Sequence, residues 1–268
     1  LKNWRPITLL TVDYKLIAKS LAFRLEDILP RIISQDQFAY VKGRYIGENI
    51  TGVIDIVDYF NASSMSGIAL QIDFEKAFDS ISWNFMERVI KKFGFGPDFQ
   101  KWVKVLYFDT QSAAINNGHL TPFFKLHRGI HQGCPLSALL FILVVETLSL
   151  MLKQRQDIKG ITIGNRETKL LQLADDTTIL LNEKTDIKGV LKLLKTFYQI
   201  SGLKTNVEKT VVYTIGKLNA PIHGEQTFGL ILKTTAIKNG TIIDGSGAPP
   251  YRGDIVFDEN QIIEVGQD

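Results

Sequence analysis

Apolar residues recur along the chain with two different periods, and the switches between them mark the elements. From Asp13 to Leu29, the residues Leu16, Ile17, Leu21, Leu25, Ile28 and Leu29 repeat at helical spacing ahead of Pro30. That pattern predicts a half-buried helix stopped by the proline. Similar spacing predicts helices over roughly 47–61, 83–93 with Gly94 behind it, 98–107, 136–153, and 186–200 with Gly202 behind it. Strand signals are fewer. "GIALQIDF" at 67–74 is a short apolar run, "SAAINNGHLTPFFKL" holds a turn at Asn116-Asn117-Gly118, and "LLQLADDTTILL" from Leu170 to Leu181 reads strand, turn, strand. Helices that outnumber strands indicate an α+β class. There is no internal repeat, and no apolar run reads as long enough to cross a bilayer.

After about Gly216 the texture changes to short β-like runs rich in Gly and Ile. We place a boundary between Gly216 and Thr227, giving a body of residues 1–216 and a β-rich tail of 217–268. Charge changes at the same place. The body carries 27 Lys and Arg against 21 Asp and Glu, and the tail 4 against 7. A mildly basic body suits a polyanionic partner, though a solvated surface explains it equally well. With 268 residues the chain can bury a sizeable core. Cys134 is the only cysteine, which excludes a disulfide framework and a thiolate zinc site. His119, His127, His131 and His223 form neither HxH nor HExxH, so imidazole zinc chemistry has no support. A reduced, intracellular protein is expected. The opening at Leu1, without Met, suggests a piece of something longer.

The chemistry rests on carboxylates. Asp175 and Asp176 stand together between two apolar runs, where a turn alone would explain them, because Asp is a favoured turn residue. Asp73 ends a second apolar run. If that run lies beside the hairpin, three carboxylates converge on one sheet edge, and they cannot stay charged without cations. Hard divalent ions are the natural partners, since Mg²⁺ takes one or two carboxylates and completes its shell with water and substrate phosphates. Two such ions about 3.5–4 Å apart stabilise the attacking and leaving oxygens of an in-line phosphoryl displacement. The constellation suggests nucleotidyl transfer.

Four segments, "LQIDFEKAFDSISW", "RGIHQGCPLSALLF", "LADDTTILL" and "SGLKTNVEKT", occur in that order and spacing. They resemble motifs A to D of the reverse transcriptases of non-LTR (LINE-type) retrotransposons. "NWRPITLLTVDYKLIAKSLAFRLEDILPRIISQDQFAYVKGRYIGENI" resembles the finger motifs of the same family, so the likeness covers residues 1 to about 216. It implies a right-hand polymerase palm with partial fingers, an antiparallel sheet packed on helices, and RNA-directed DNA polymerase activity. The expected partners are an RNA template, a DNA primer and dNTPs. The expected cofactor is a pair of Mg²⁺ ions, with Mn²⁺ as a substitute, and the expected location is cytoplasm and nucleus.

The resemblance also implies roles. Asp73 and Asp175 match the two metal-binding aspartates, and Asp176 the second, usually weaker member of the pair. Phe78, five residues after Asp73, matches the aromatic that walls off the sugar 2′ position. Gln132 and Gly133 match a pair lying against the incoming nucleotide and template, and Pro135 then opens a helix apolar nearly all round. Arg5 matches a finger arginine near the triphosphate, Arg44 a basic residue near the template, and Lys209 a proton donor to pyrophosphate. Asp79 matches the family's "AFD", and capping of the next helix explains it as well. Leu173 stands where the family most often has Tyr or Phe, Ala138 replaces a usual Pro, and "AYVKGR" replaces the commoner "GFVPGR". The family's thumb, endonuclease domain and Cys-rich segment are not matched in this chain.

"IKNGTIIDGSGAPPYRGDIVFDENQIIEVG" in the tail resembles the N-terminal β segment of amidohydrolases of the D-aminoacylase type. The metal-binding HxH of that family would lie beyond Asp268, so hydrolase chemistry is not expected. The alternative to a polymerase domain is a non-catalytic retroelement remnant that at most binds nucleic acid.

Overall fold

The computed structural model describes residues 7–63, 65–182 and 186–216, and the backbone of 231–232, 235–242, 251–258 and 261–267. The helices among them are α1 (Val12–Glu26), α2 (Leu29–Ile32), α3 (Ile46–Ser63), α4 (Ala77–Ser80), α5 (Trp83–Lys92), α6 (Pro97–Tyr107), α7 (Ser137–Gln154) and α8 (Asp186–Ser201). Their starts are capped by the local sequence. Thr11 accepts a hydrogen bond from the Tyr14 amide at the head of α1, Ser82 accepts from Phe85 at the head of α5, and Pro97 opens α6. The expected single helix to Leu29 is two. α1 ends at Glu26, and Pro30 does not stop a helix but sits in the first turn of α2, where its missing N–H has no partner to lose. The buried face of α1 is Ala18, Leu21, Ala22 and Leu25, so Leu16 and Ile17 point outward. Pro135 precedes α7 by two residues and does not open it.

Strands are more numerous than the sequence suggested, fourteen to eight helices among the described residues. Five lie before the long α7: β1 (Ser66–Ile72), β2 (Gln111–Ser112), β3 (Ile115–Asn116), β4 (His119–Leu120) and β5 (Phe124–Lys125). After it come β6 (Ile161–Ile163), β7 (Arg166–Thr168), β8 (Leu170–Leu173), β9 (Asp176–Leu181) and β10 (Val211–Gly216). The last four are β11 (Ile231–Leu232), β12 (Thr235–Ile242), β13 (Tyr251–Asp258) and β14 (Gln261–Gln267). Several have two or three residues, too short to carry a period.

The principal sheet has the order β11-β10-β1-β9-β8. β1 is central and antiparallel to both neighbours, with Gln71 opposite Val211 on one side and Thr178 on the other. β11 adds in parallel to β10, while β12, β13 and β14 form a separate antiparallel sheet.

Alternation along the strands divides the principal sheet into two faces. Ile68, Leu70 and Ile72 of β1, with Ile179, Leu181 and Val212, join the main core with α5, α7 and α8. α7 is its axis. Every residue from Leu139 to Val145 is at most 5% exposed, and full burial of each large side chain stabilises by about 1.5–3 kcal/mol. By length and composition α7 would span a membrane, contrary to the expectation above, but most of it is buried within the protein. The opposite face carries Ala69, Leu171, Leu180 and Ile215, which pack with Ile56 and Phe60 of α3. This second cluster covers only one end of that face.

The C-terminus of α8 is closely fitted. Gly202 follows it at φ +83°, and a Cβ there would lie 2.3 Å from the Ser80 carbonyl oxygen. Gly94, behind α5, has φ +82° with nothing within 4 Å. Both positions disfavour an L side chain by about 1–2 kcal/mol, and only Gly202 adds a backbone collision. Gly94→Ala should therefore lower the unfolding free energy by about that amount, and Gly202→Ala by clearly more, in denaturant titrations of the two variants.

Candidate functional site

The face left uncovered by α3 is where two of the singled-out carboxylates, Asp73 and Asp176, meet, and Asp175 is not among the residues lining the cavity there. Ile72 pairs with Thr177, so one step further along the ladder brings Asp73 level with Asp176. Asp73 shares a face with Gln71 and Ala69, and Asp176 with Thr178 and Leu180, so both side chains belong to the same side of the sheet. They line a cavity of about 380 Å³ together with Gln71, Glu208, Lys209, Val211 and Tyr213. Asp175, half-buried, occupies the second position of the two-residue turn between β8 and β9. The first is Ala174, whose φ of +56° costs an L residue about 1 kcal/mol or more.

Asp73 is held by a residue the sequence reading passed over. The Asn206 side chain donates to Asp73 Oδ2 at 3.0 Å, and its backbone N–H donates to the Asp73 carbonyl at 2.8 Å. Asn206 lies in the same "SGLKTNVEKT" as Lys209, but nothing in its spacing marks it. Glu208, also not singled out, brings a further carboxylate to the cavity lining.

The donor set is oxygen throughout, which suits a hard divalent cation. Among the described residues no group of three or more His, Cys, Asp or Glu side chains is gathered tightly enough to hold an ion by itself. The convergence of Asp73, Asp175 and Asp176 into one three-carboxylate group, expected from the sequence, is not found among the described residues.

The other singled-out residues fall into three groups. Phe78, on α4, is half-buried and stacks on Phe141 of α7, with ring centroids 4.5 Å apart and planes 6° apart. Its carbonyl accepts from Ile130, which ties α4 to the loop before α7. In that loop Gln132 donates to Asp79 Oδ1 at 3.3 Å. Asp79 does not cap α5, because Ser82 does. Gly133 has φ +103°, and a Cβ there would come within 3.2 Å of the Thr8 carbonyl oxygen. Thr8 in turn donates its N–H to the Gln132 carbonyl at 2.9 Å, so the described start of the chain lies against this loop. Arg5 lies outside the described residues.

Arg44 stands apart from the carboxylates. Its guanidinium donates to the carbonyls of Ile33, Ser34 and Gln37, at 2.8 Å for Ile33 and 2.5 Å for Gln37. Beside it Glu146, buried in α7, accepts from the Ser34 hydroxyl through Oε1, while Oε2 has no hydrogen-bond partner among the described residues. Burial pushes this carboxyl above its ordinary range, against smaller opposing effects of Ser34 and Lys153.

A profile of the family described as reverse transcriptase (RNA-dependent DNA polymerase) matches residues 1–239. The 149 kDa protein of transposon TX1 from Xenopus laevis is 29% identical over 212 residues, 78% of this chain and 16% of that protein. A Pol polyprotein of the type-1 retrotransposable element R2 from Popillia japonica is 26% identical over 214 residues, 80% of this chain and 30% of that protein. The chain thus spans under a third of the length of these relatives. Telomerase from Candida tropicalis, in complex with a fragment of telomeric RNA, superposes with a TM-score of 0.54 at 14% identity, over 74% of this chain and 33% of that one. Apo telomerase of the same species, truncated from its C-terminal domain, gives 0.55 at 14% identity, over 95% and 46%. At such identity the likeness is one of fold, and the fold is that of a polymerase.

The raised Glu146 carboxyl fixes a sign. Its protonated form is favoured on folding, so its contribution is fully present below the ordinary value of 4.5 and is lost as pH rises through the folded value. Glu146→Gln, which cannot ionise, should gain stability relative to the parent as pH goes from about 4 to 7. Parallel pH profiles of the two denaturation midpoints would contradict this.

Proposed function

Because this chain belongs to the reverse transcriptase (RNA-dependent DNA polymerase) family, we propose that its body is the palm and partial fingers of an RNA-directed DNA polymerase of the non-LTR retrotransposon kind. The observation that carries the reading is the shared cavity at the open end of the central sheet, where Asp73, Asp176 and Lys209 line one space. The substrates are an RNA template, a DNA primer and dNTPs.

Asp73 and Asp175, with Asp176 as the weaker partner, would hold two divalent ions, Mg²⁺ or Mn²⁺. When bound, the ions supply neutralisation of phosphate charge and in-line alignment of the primer 3′ oxygen with the α-phosphate. The protein's own groups do the rest. Asn206 fixes the rotamer of Asp73 by its 3.0 Å hydrogen bond. Lys209, which lines the cavity, gives a proton to the departing pyrophosphate. Phe78, braced against Phe141, sets the floor beneath the sugar, where a 2′-hydroxyl would collide with the ring. Gln132 and Gly133 present a side chain and a closely approachable backbone to the base pair being formed. Arg5 serves the triphosphate. Arg44 acts on the template side through the loop whose carbonyls it binds. Residues 217–268 add nothing to this chemistry, although β11 within them pairs with β10 of the principal sheet.

Two measurements test the reading. In single-nucleotide primer extension, with the chain completed to the length of its relatives, Asp175→Ala should abolish incorporation with either sugar. Phe78→Val should raise ribonucleotide incorporation and keep much of the deoxynucleotide activity, because a steric wall rejects and does not bind. Extension that survives in Asp175→Ala defeats the metal assignment, and an unchanged sugar preference in Phe78→Val defeats the placing of the wall. For the boundary, a chain ending at Gly216 should show cooperative thermal unfolding near that of the full chain, and failure to fold would move the boundary.

A further inference from the structure

We propose that Gln37 is the positioning residue that fixes the turn bearing the Asp175–Asp176 pair, and so sets the metal affinity of the site from outside it. The proposal rests on the metal-site reading above for its consequence, but not for its geometry.

A two-residue turn leaves the backbone groups at its tip without ladder partners. Here those groups are buried, since Ala174 is 9% exposed, and buried N–H and C=O groups require hydrogen bonds. Gln37, itself 1% exposed, supplies them. Its Oε1 accepts from the Ala174 N–H at 3.0 Å, and its Nε2 donates to the Ala174 carbonyl at 3.4 Å. The side-chain amide thus pairs with the backbone of Ala174 as a neighbouring strand would. The pairing falls on a residue held at φ +56° immediately before Asp175. An alanine has no intrinsic reason to stay there, because the left-handed region is disfavoured for an L side chain. If Ala174 relaxes to negative φ, the peptide that leads into Asp175 rotates, and both carboxylates leave their register.

The loop that carries Gln37 is fixed in its turn. Gln37 forms a parallel bridge with Gln172, flanked by hydrogen bonds from Phe38 N–H to the Gln172 carbonyl at 2.9 Å and from Gln172 N–H to the Asp36 carbonyl at 2.7 Å. Oε1 also accepts from the Ala39 N–H at 3.0 Å, which sets the amide's orientation. Arg44 holds the Gln37 carbonyl. On the far side, the Gln172 side chain accepts from Ser149 of α7 at 2.5 Å and donates to Thr177 at 3.1 Å. The path therefore runs from Arg44 through the loop and the Gln37 amide to the turn. Gln37 is not among the residues lining the cavity.

The test uses the full 268-residue chain, with Mn²⁺ as the probe and free Mn²⁺ followed by electron paramagnetic resonance. Gln37→Met, of similar length and without hydrogen-bonding groups, should weaken Mn²⁺ binding about tenfold, the low end of the effect of losing an orienting partner of a metal ligand. It should also speed native-state amide exchange at Ala174 while Ile179 and Leu180 keep their rates. Adding Ala174→Gly should recover affinity, because glycine holds positive φ unaided, whereas a general loosening of the loop would not be cured at that position. If Gln37→Met does not fold, Gln37→Asn takes its place, since it keeps an amide but is one methylene too short to reach Ala174. Unchanged exchange at Ala174, unchanged Mn²⁺ affinity, or no recovery by Ala174→Gly each overturns the proposal. Asp73→Asn separates the two readings. If the parent binds no Mn²⁺, or if Asp73→Asn binds it as the parent does, the metal site is wrong, and exchange at Ala174 still decides the role of Gln37.

Discussion

The register of β9 on β1 is the constraint on which the rest depends. Leu70 faces Ile179 and Ile72 faces Thr177 across an antiparallel ladder, and that pairing alone puts Asp73 and Asp176 at one height on one face. Side chains alternate, so a slip of one residue would turn Asp176 toward the core and Ile179 toward the cavity. The apolar set Ile68, Leu70, Ile72, Ile179 and Leu181 forbids that slip, because burying it against α7 and α8 is what stabilises the domain. Core packing and the juxtaposition of Asp73 with Asp176 are therefore one constraint seen from the two faces of a sheet.

The open end of the other face follows from how little covers it. Ile56 and Phe60 of α3 seal the sheet near Ala69, Leu180 and Ile215, and the strands continue past that seal to Gln71, Asp73 and Asp176. A phosphate-bearing substrate needs such a place, where carboxylates are fixed by backbone but reachable from solvent. Fixing comes from short-range bonds of long sequence separation, those of Asn206 to Asp73 and of Gln37 to Ala174. Arg44, further from the sheet, binds the carbonyls of Ile33, Ser34 and Gln37 in its own loop.

The family was legible before the structure. The order of Asp73, Gln132, the Asp175–Asp176 pair and Lys209 identified the family, and the profile match over residues 1–239 agrees with it. The hairpin turn, five of the helices and the strand before Asp73 followed from periodicity. The misreadings have physical causes. β10 was missed because Val211, Val212 and Ile215 form a short apolar run with no clean alternation, and it is a strand only because β1 offers an edge. Pro30 was read as a stop because proline ends helices and begins them with the same ring. The apolar length of α7 was underrated as a membrane-span match, and its hydrophobicity serves a core that surrounds it.

By itself, the sequence determined what is local: helix starts at Thr11, Ser82 and Pro97, the turn at Ala174 and Asp175, and the chemical character of each motif. These depend on residues within one or two turns of one another, and their energies are set before the chain folds. The tertiary structure alone decided which side chains support the site. Gln37 and Ala174 are 137 residues apart, and Asn206 and Asp73 are 133 apart. A contact closed over such a distance leaves no period or spacing in the chain, since it exists only once the sheet has brought both ends together.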